Sequence, residues 1–242
     1  MPNVLKEMWW GRYGKVPVPL DGLVTYNSLA SIGETTFPLD ASNQEDGFEN
    51  GWRISGKSSL TSAVVDGVPC VSTTENVSGW VYREKCNFHK SLEGLTAFCI
   101  VRVSSFSAIN STNYMQMISF GVFSNNAGNT LSIGANYNST AMNSWNHVKQ
   151  KVEWSKSKNT TPSRNVWHSA VLVLDARNGS QYLYIDGARV LANSYAMGVG
   201  QVLMISTGQA FAAGVSVARI GLYARALTDA EITSLDGIIR PQ

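Results

Sequence analysis

One stretch constrains the fold of this chain more than any other. Val171-Leu172-Val173-Leu174 runs into Asp175-Ala176-Arg177-Asn178-Gly179-Ser180, and that into Gln181-Tyr182-Leu183-Tyr184-Ile185. Asp186-Gly187 follows, and then Ala188-Arg189-Val190-Leu191. Asn-Gly and Asp-Gly between apolar runs mark tight hairpin turns, because these residues tolerate positive φ. Three consecutive antiparallel strands, a meander, are therefore expected here.

The flanking sequence continues in the same register. Val166 to Leu174 is apolar at nearly every position, as a central strand covered on both faces should be. Val148 to Trp154 alternates, with Val148, Gln150, Val152 and Trp154 on one face and Lys149, Lys151 and Glu153 on the other. Period-two alternation is the signature of a half-buried strand. Thr96 to Val103, Met115 to Val122, Thr130 to Ala135, Val199 to Ser206 and Val215 to Tyr223 add further strands, and Trp80 sits in another. Charged residues are only 15% of the chain and hydrophobic ones 44%. That balance suits strands and turns better than solvated helices.

A single short helix is expected near the C-terminus, over about residues 229 to 236. Thr228 stands three residues before Glu231, the spacing of a capping box, and Leu227 and Ile232 are placed for a hydrophobic staple. Gly237 follows Leu235 as the expected stop. The chain shows no repeat, linker or low-complexity tract. The expected organisation is an N-terminal leader over residues 1–19 and one domain over residues 20–242.

Three segments together resemble the laminin G-like members of the concanavalin A-like superfamily. They are Trp167-His168-Ser169-Ala170-Val171, then Tyr182-Leu183-Tyr184-Ile185-Asp186-Gly187, then the run from Ala218 to Ile232 that contains Arg219-Ile220-Gly221-Leu222-Tyr223-Ala224-Arg225-Ala226-Leu227-Thr228-Asp229-Ala230-Glu231. The resemblance covers residues 165 to 235 best. Asp21-Gly22-Leu23-Val24 is a candidate first strand. The resemblance implies an all-β, two-sheet antiparallel jelly-roll β-sandwich with one short C-terminal helix. It implies little about function, since these residues mostly build the sandwich and the superfamily serves glycan binding, adhesion, glycan cleavage and virion structure.

Catalytic patterns are sparse. Sandwich glycosidases need two carboxylates on one strand face, as in Glu-x-Asp-x-Glu. Glu153 is the only carboxylate well inside an expected strand, and Glu45-Asp46-Gly47-Phe48-Glu49 has the wrong spacing. His89, His147 and His168 are far apart, with no Gly-x-Ser-x-Gly elbow. Cys86 and His89 lack the second ligand pair that a zinc site needs. No cofactor is expected; were calcium held, Asp40, Asn43 and Asp46 would supply the oxygens.

Aromatic residues beside amides suggest a glycan platform, with Tyr137, Asn143 and Trp145 as its members; the plainer alternative is that Trp145 plugs the edge of the core. Trp9, Trp10 and Tyr13 in the leader suggest a contact, either with the chain's own domain or with an assembly. A net charge of +2 without a basic stripe argues against nucleic acid. No signal peptide and no run of membrane-spanning length is legible, so a soluble, cytoplasmic or virion-borne protein is expected. The five Asn-x-Ser/Thr triplets, at Asn76, Asn110, Asn138, Asn159 and Asn178, read accordingly as accidents of composition. Among Cys70, Cys86 and Cys99, the last lies in an apolar run as a buried thiol, and a bridge between the other two stays open.

The sequence thus points to a non-catalytic structural or adhesive sandwich. A part of a larger assembly, such as a phage capsid decoration, head fibre or tail protein, is the first reading. A carbohydrate-binding module or lectin is the second, and a glycan hydrolase or lyase with an unrecognised site the third.

Overall fold

The computed structural model describes residues 18–19, 21–27, 53–55, 60–73, 80–83, 94–104, 115–122, 127–133, 150–153, 163–175, 177–194, 202–206 and 215–241. These residues form two sheets and one helix. The strands are β1 (Leu23–Asn27), β2 (Arg53–Ser55), β3 (Leu60–Val65), β4 (Val68–Thr73), β5 (Trp80–Arg83), β6 (Gly94–Val103), β7 (Met115–Val122), β8 (Ala127–Ile133), β9 (Gln150–Glu153), β10 (Trp167–Asp175), β11 (Ser180–Ile185), β12 (Ala188–Ser194), β13 (Val202–Ser206) and β14 (Val215–Tyr223). The helix is α1 (Asp229–Ile239).

The larger sheet runs β12-β11-β10-β6-β14-β4-β3, and β1 joins the same edge of β14 that β4 uses. The smaller runs β2-β5-β13-β7-β8-β9. Stacked, they make the two-sheet antiparallel jelly-roll sandwich; the pairing of β8 with β9 departs from the antiparallel rule and is parallel. The expected meander is present, with Val171 opposite Tyr184 and Leu183 opposite Leu191.

The turns explain why these strands meet in this register. Asp186 and Gly187 both have positive φ (51° and 75°), the conformation a two-residue hairpin turn demands. Asp66-Gly67 (51° and 76°) does the same between β3 and β4. In the wider β10–β11 turn, Gly179 has positive φ (56°).

Both faces of the larger sheet are covered. On β6, all residues except Arg102 are buried. Period two sends Phe98 and Ile100 to the outer face, where they join Val171, Val173, Tyr184 and Tyr223 with Ile232, Leu235 and Ile239 of α1 in one core. Leu95, Ala97, Cys99 and Val101 alternate to the inner face, toward the smaller sheet, and are equally buried. Cys70 lies in the outer core and Cys99 on the opposite face; both are free, buried thiols, so Cys70 makes no bridge. Burial pushes the Cys99 thiol well above its ordinary pKa.

The helix start follows expectation and its end does not. Glu231 N–H donates to Thr228 Oγ1 at 3.3 Å and Thr228 N–H to Glu231 Oε2 at 2.8 Å, closing the capping box. Leu227 and Ile232 are both buried. Gly237, however, is not the stop. The helix continues to Ile239 and is capped by Arg240, whose N–H donates to the Asp236 carbonyl at 3.0 Å. The reason is tertiary: Ile239 is fully buried in the outer core, and that burial outweighs the weak helix propensity of glycine.

Among the described residues, no helix is long and apolar enough to cross a membrane.

Candidate functional site

A groove lies on the outer face of the larger sheet. It is bounded by β10 to β12 on one side and by residues 224–229, the approach to α1, on the other. Its volume is about 740 Å³, inside the ~300–1,000 Å³ usual for small-ligand clefts.

Strand alternation builds the floor. Val173 and Asp175 on β10, and Tyr182 and Tyr184 on β11, are alternate residues and share the outer face. Arg189 of β12 stands directly opposite Tyr184. Gly94, at the start of β6, lets the 224–227 segment come close: a Cβ there would fall 2.7 Å from the Ala226 nitrogen and 2.8 Å from the Leu174 carbonyl oxygen. The segment is further tied down by Thr96, whose Oγ1 donates to the Arg225 carbonyl at 2.8 Å and accepts from Leu227 N–H at 2.9 Å.

The polar groups of the groove are mutually engaged. Tyr184 OH donates to Asp229 Oδ1 at 2.5 Å. Burial, then this bond to a carboxylate, pushes the Tyr184 phenol above its ordinary pKa. Arg189 approaches Asp229 Oδ2 at 3.6 Å, and its guanidinium lies 5.3 Å from the centre of the Tyr182 ring, a cation–π contact. At the far rim Asp175 accepts from the Asn178 side-chain amide at 2.6 Å and from Asn178 N–H at 3.4 Å, fixing the turn that carries Arg177 and Asn178. Arg225 is held by Glu231 through two bonds of 2.7 and 3.0 Å and by the Asp21 carbonyl at 3.1 Å.

Two carboxylates, Asp175 and Asp229, thus line one groove. They come from different elements, so no spacing along one strand pairs them. All four of their oxygens have a partner: the Asn178 amide and N–H, the Tyr184 hydroxyl and Arg189. A cleaving pair needs one carboxyl with a proton to give and another free to attack or to activate water.

A second polar cluster lies at the opposite end of α1 and is structural. His168 Nδ1 is 2.9 Å from Asp186 Oδ2, and Ser169 N–H donates to Asp186 Oδ1 at 3.1 Å. Ser169 Oγ donates to Asp236, which pairs with Arg240 at 3.0 Å. Burial opposes the Asp186 charge, but the bonds from His168 and Ser169 and the Arg240 guanidinium outweigh it and hold the carboxyl below its ordinary pKa. His168 and Ser169 of β10 therefore lock the Asp-Gly turn and the helix to the sheet.

The site residues expected from the sequence lie elsewhere. Tyr137, Asn143 and Trp145, the leader residues Trp9, Trp10 and Tyr13, the oxygen donors Asp40, Asn43 and Asp46, and Cys86, His89 and His147 all fall outside the described residues. Among the described residues, no three of His, Cys, Asp and Glu gather as a metal site. The groove residues were read from the sequence only as parts of a hairpin and a helix cap. Period-two alternation along β11 is a signal that could have put Tyr182 and Tyr184 on one face; the partnership with residues 224–229 left no trace.

No family model matches this chain, and no curated protein matches it. Solved structures do. The receptor binding domain of the botulinum neurotoxin C/D mosaic serotype superimposes with a TM-score of 0.60 at 13% identity, over 90% of this chain and 52% of that one. The botulinum neurotoxin serotype D ligand binding domain in complex with N-acetylneuraminic acid gives 0.59 at 12% identity, over 90% and 51%. The serotype G binding domain gives 0.53 at 16%, over 80% and 47%. The chain thus spans about half the length of these neighbours. At such identities the likeness is one of fold, and what the chain shares with them is the β-sandwich.

Proposed function

We propose that this chain is a non-catalytic carbohydrate-binding β-sandwich and that the outer-face groove holds the glycan. The observation that carries the reading is the groove itself: an aromatic side chain, Tyr182, set among Arg177, Asn178, Arg189 and Asp229 in a cleft of about 740 Å³. Sugars are gripped by such mixtures, in which an apolar ring face packs on an aromatic and hydroxyls bond to planar polar groups. The fold neighbours support the reading in kind, since they are described as binding domains, one in complex with N-acetylneuraminic acid and one with rat synaptotagmin II. The engaged state of Asp175 and Asp229 supports binding over cleavage.

The Tyr137–Trp145 platform is a rival location for the same function, and one experiment separates the two. On a glycan array, Tyr182→Ala is expected to weaken binding about tenfold or more, as loss of roughly 1.4 kcal/mol would, while Trp145→Ala leaves it unchanged. The reverse result moves the site to the loop. A blank array for the unaltered chain refutes the reading, and reducing ends released from any polysaccharide refute the non-catalytic part of it.

Membership of a larger assembly, a phage particle included, is a separate proposal resting on the Trp9-Trp10 pair. Light scattering tests it. Self-association that disappears on deleting residues 1–19 supports it, and a monomer before and after deletion that also docks on no particle counts against it.

A further inference from the structure

Resting on that groove reading, we propose further that the ligand is an acidic sugar, a uronate or sialate, whose carboxylate is taken by Arg189. What the groove still offers a ligand is mainly donors. Its acceptors are largely spent. Asp175 receives two bonds from Asn178, and Asp229 Oδ1 receives the Tyr184 hydroxyl at 2.5 Å. A neutral sugar presents hydroxyls that donate as well as accept, and a site for it keeps carboxylate or amide oxygens ready to receive them. Here both Asp175 oxygens and Asp229 Oδ1 already receive protein donors, and Asp229 Oδ2 faces the Arg189 guanidinium.

The donors divide differently. Arg225 is committed to Glu231 and to Asp21. Arg189 is held more loosely, by the Tyr184 hydroxyl beside it and the Asp229 carboxylate. Its contact with Asp229 is 3.6 Å long, beyond hydrogen-bond reach, and both side chains are well exposed, at 47% and 63%. Such a pair is screened by water and contributes little. When Arg189 turns to a ligand, Asp229 keeps its Tyr184 partner, so no carboxylate is stranded.

Arg189 is also pre-oriented. Its guanidinium lies over the Tyr182 ring at 5.3 Å, and it lines the groove between that ring and the approach to α1. A guanidinium resting on an aromatic face is restrained in orientation and still presents its N–H groups, the arrangement suited to bidentate capture of a carboxylate. Arg177 on the far rim adds a second positive group to the same cleft.

The test uses the full chain and four forms of one oligosaccharide: terminated by the free acid, by its methyl ester, by the neutral sugar, and by a sulfated neutral sugar. Calorimetry is expected to show the free acid bound and the ester and neutral forms at least about tenfold weaker, a difference of roughly 1.4 kcal/mol. Arg189→Gln should lose the same factor toward the acid with its melting temperature unchanged, and Arg189→Lys should recover part of it. Equal binding of acid and ester, with the Tyr182→Ala loss intact, overturns the acidic-sugar assignment and leaves the glycan reading standing. Sulfate binding as tight as carboxylate overturns the carboxylate fork, as does an Arg189→Gln chain with full affinity. If no glycan binds at all, the groove reading itself falls.

Discussion

Single residues decide two opposite outcomes at two glycines of this protein. Gly237 sits inside α1, exposed, with nothing within 4 Å of where a Cβ would stand. Glycine in a helix interior costs about 1 kcal/mol relative to alanine, so Gly237→Ala should raise stability by about 0.5–1 kcal/mol in a urea titration. Gly94 is the converse. Its Cβ would meet backbone at 2.7 and 2.8 Å, and backbone cannot step aside as a flexible side chain does. Gly94→Ala should destabilise by about 2 kcal/mol or more, as forced overpacking does, and should weaken glycan binding by moving residues 224–227. An unchanged midpoint for Gly94→Ala would refute the close approach that shapes the groove. At Asp186, a left-handed residue with two partners, loss of the carboxylate removes bonds to His168 and Ser169. Asp186→Ala should cost about 2–3 kcal/mol, the range for charge-assisted bonds and backbone strain combined.

Among the elements, the start of α1 is the one whose strength follows pH. The bonds from Arg225, helped by those from Thr228 and opposed by burial, pull the Glu231 carboxyl from its ordinary 4.5 down to about 2. The folded-state value is the lower one, so this contribution is complete above about pH 4.5 and is lost as the pH falls toward 2. Thermal melts should therefore decline through that window. Glu231→Gln should lower the melting temperature at pH 7, and the gap to the unaltered chain should narrow at pH 3. A gap that stays constant with pH would show that the carboxylate's charge does not hold the cap. Arg225 also links this cap to Asp21 before β1.

For the whole molecule, burial on both faces of the larger sheet makes its thiols reporters of global opening. Cys70 lies in the outer core that Ile232, Leu235 and Ile239 of α1 share, and Cys99 on the opposite, inner face. Neither should react with a thiol reagent until the sandwich opens, and peptide mapping should show both labelled together across a urea transition. Early labelling of Cys70 alone would mean that α1 detaches as a separate unit.

Much of this architecture was legible in the residues. The β10–β12 meander follows from Asp-Gly and Asn-Gly between apolar runs, the covered character of β10 from its mostly apolar sequence, and the helix start from Thr228 and Glu231. These are local facts: φ preferences, period two and a three-residue capping spacing act within a few residues of chain. The Asp66-Gly67 hairpin was equally legible and went unread. What the chain alone could not declare is which outer-face residues meet across long separations. The overrun of α1 past Gly237 depends on the pocket that receives Ile239. The groove depends on Tyr184 reaching Asp229, 45 residues away, and on Thr96 holding Arg225 and Leu227, 129 and 131 residues away. Sequence patterning chose which face each side chain occupies. Only the docking of α1 onto that face, driven by the burial of Ile232, Leu235 and Ile239, decided that tyrosines, arginines and an aspartate would border a common cleft.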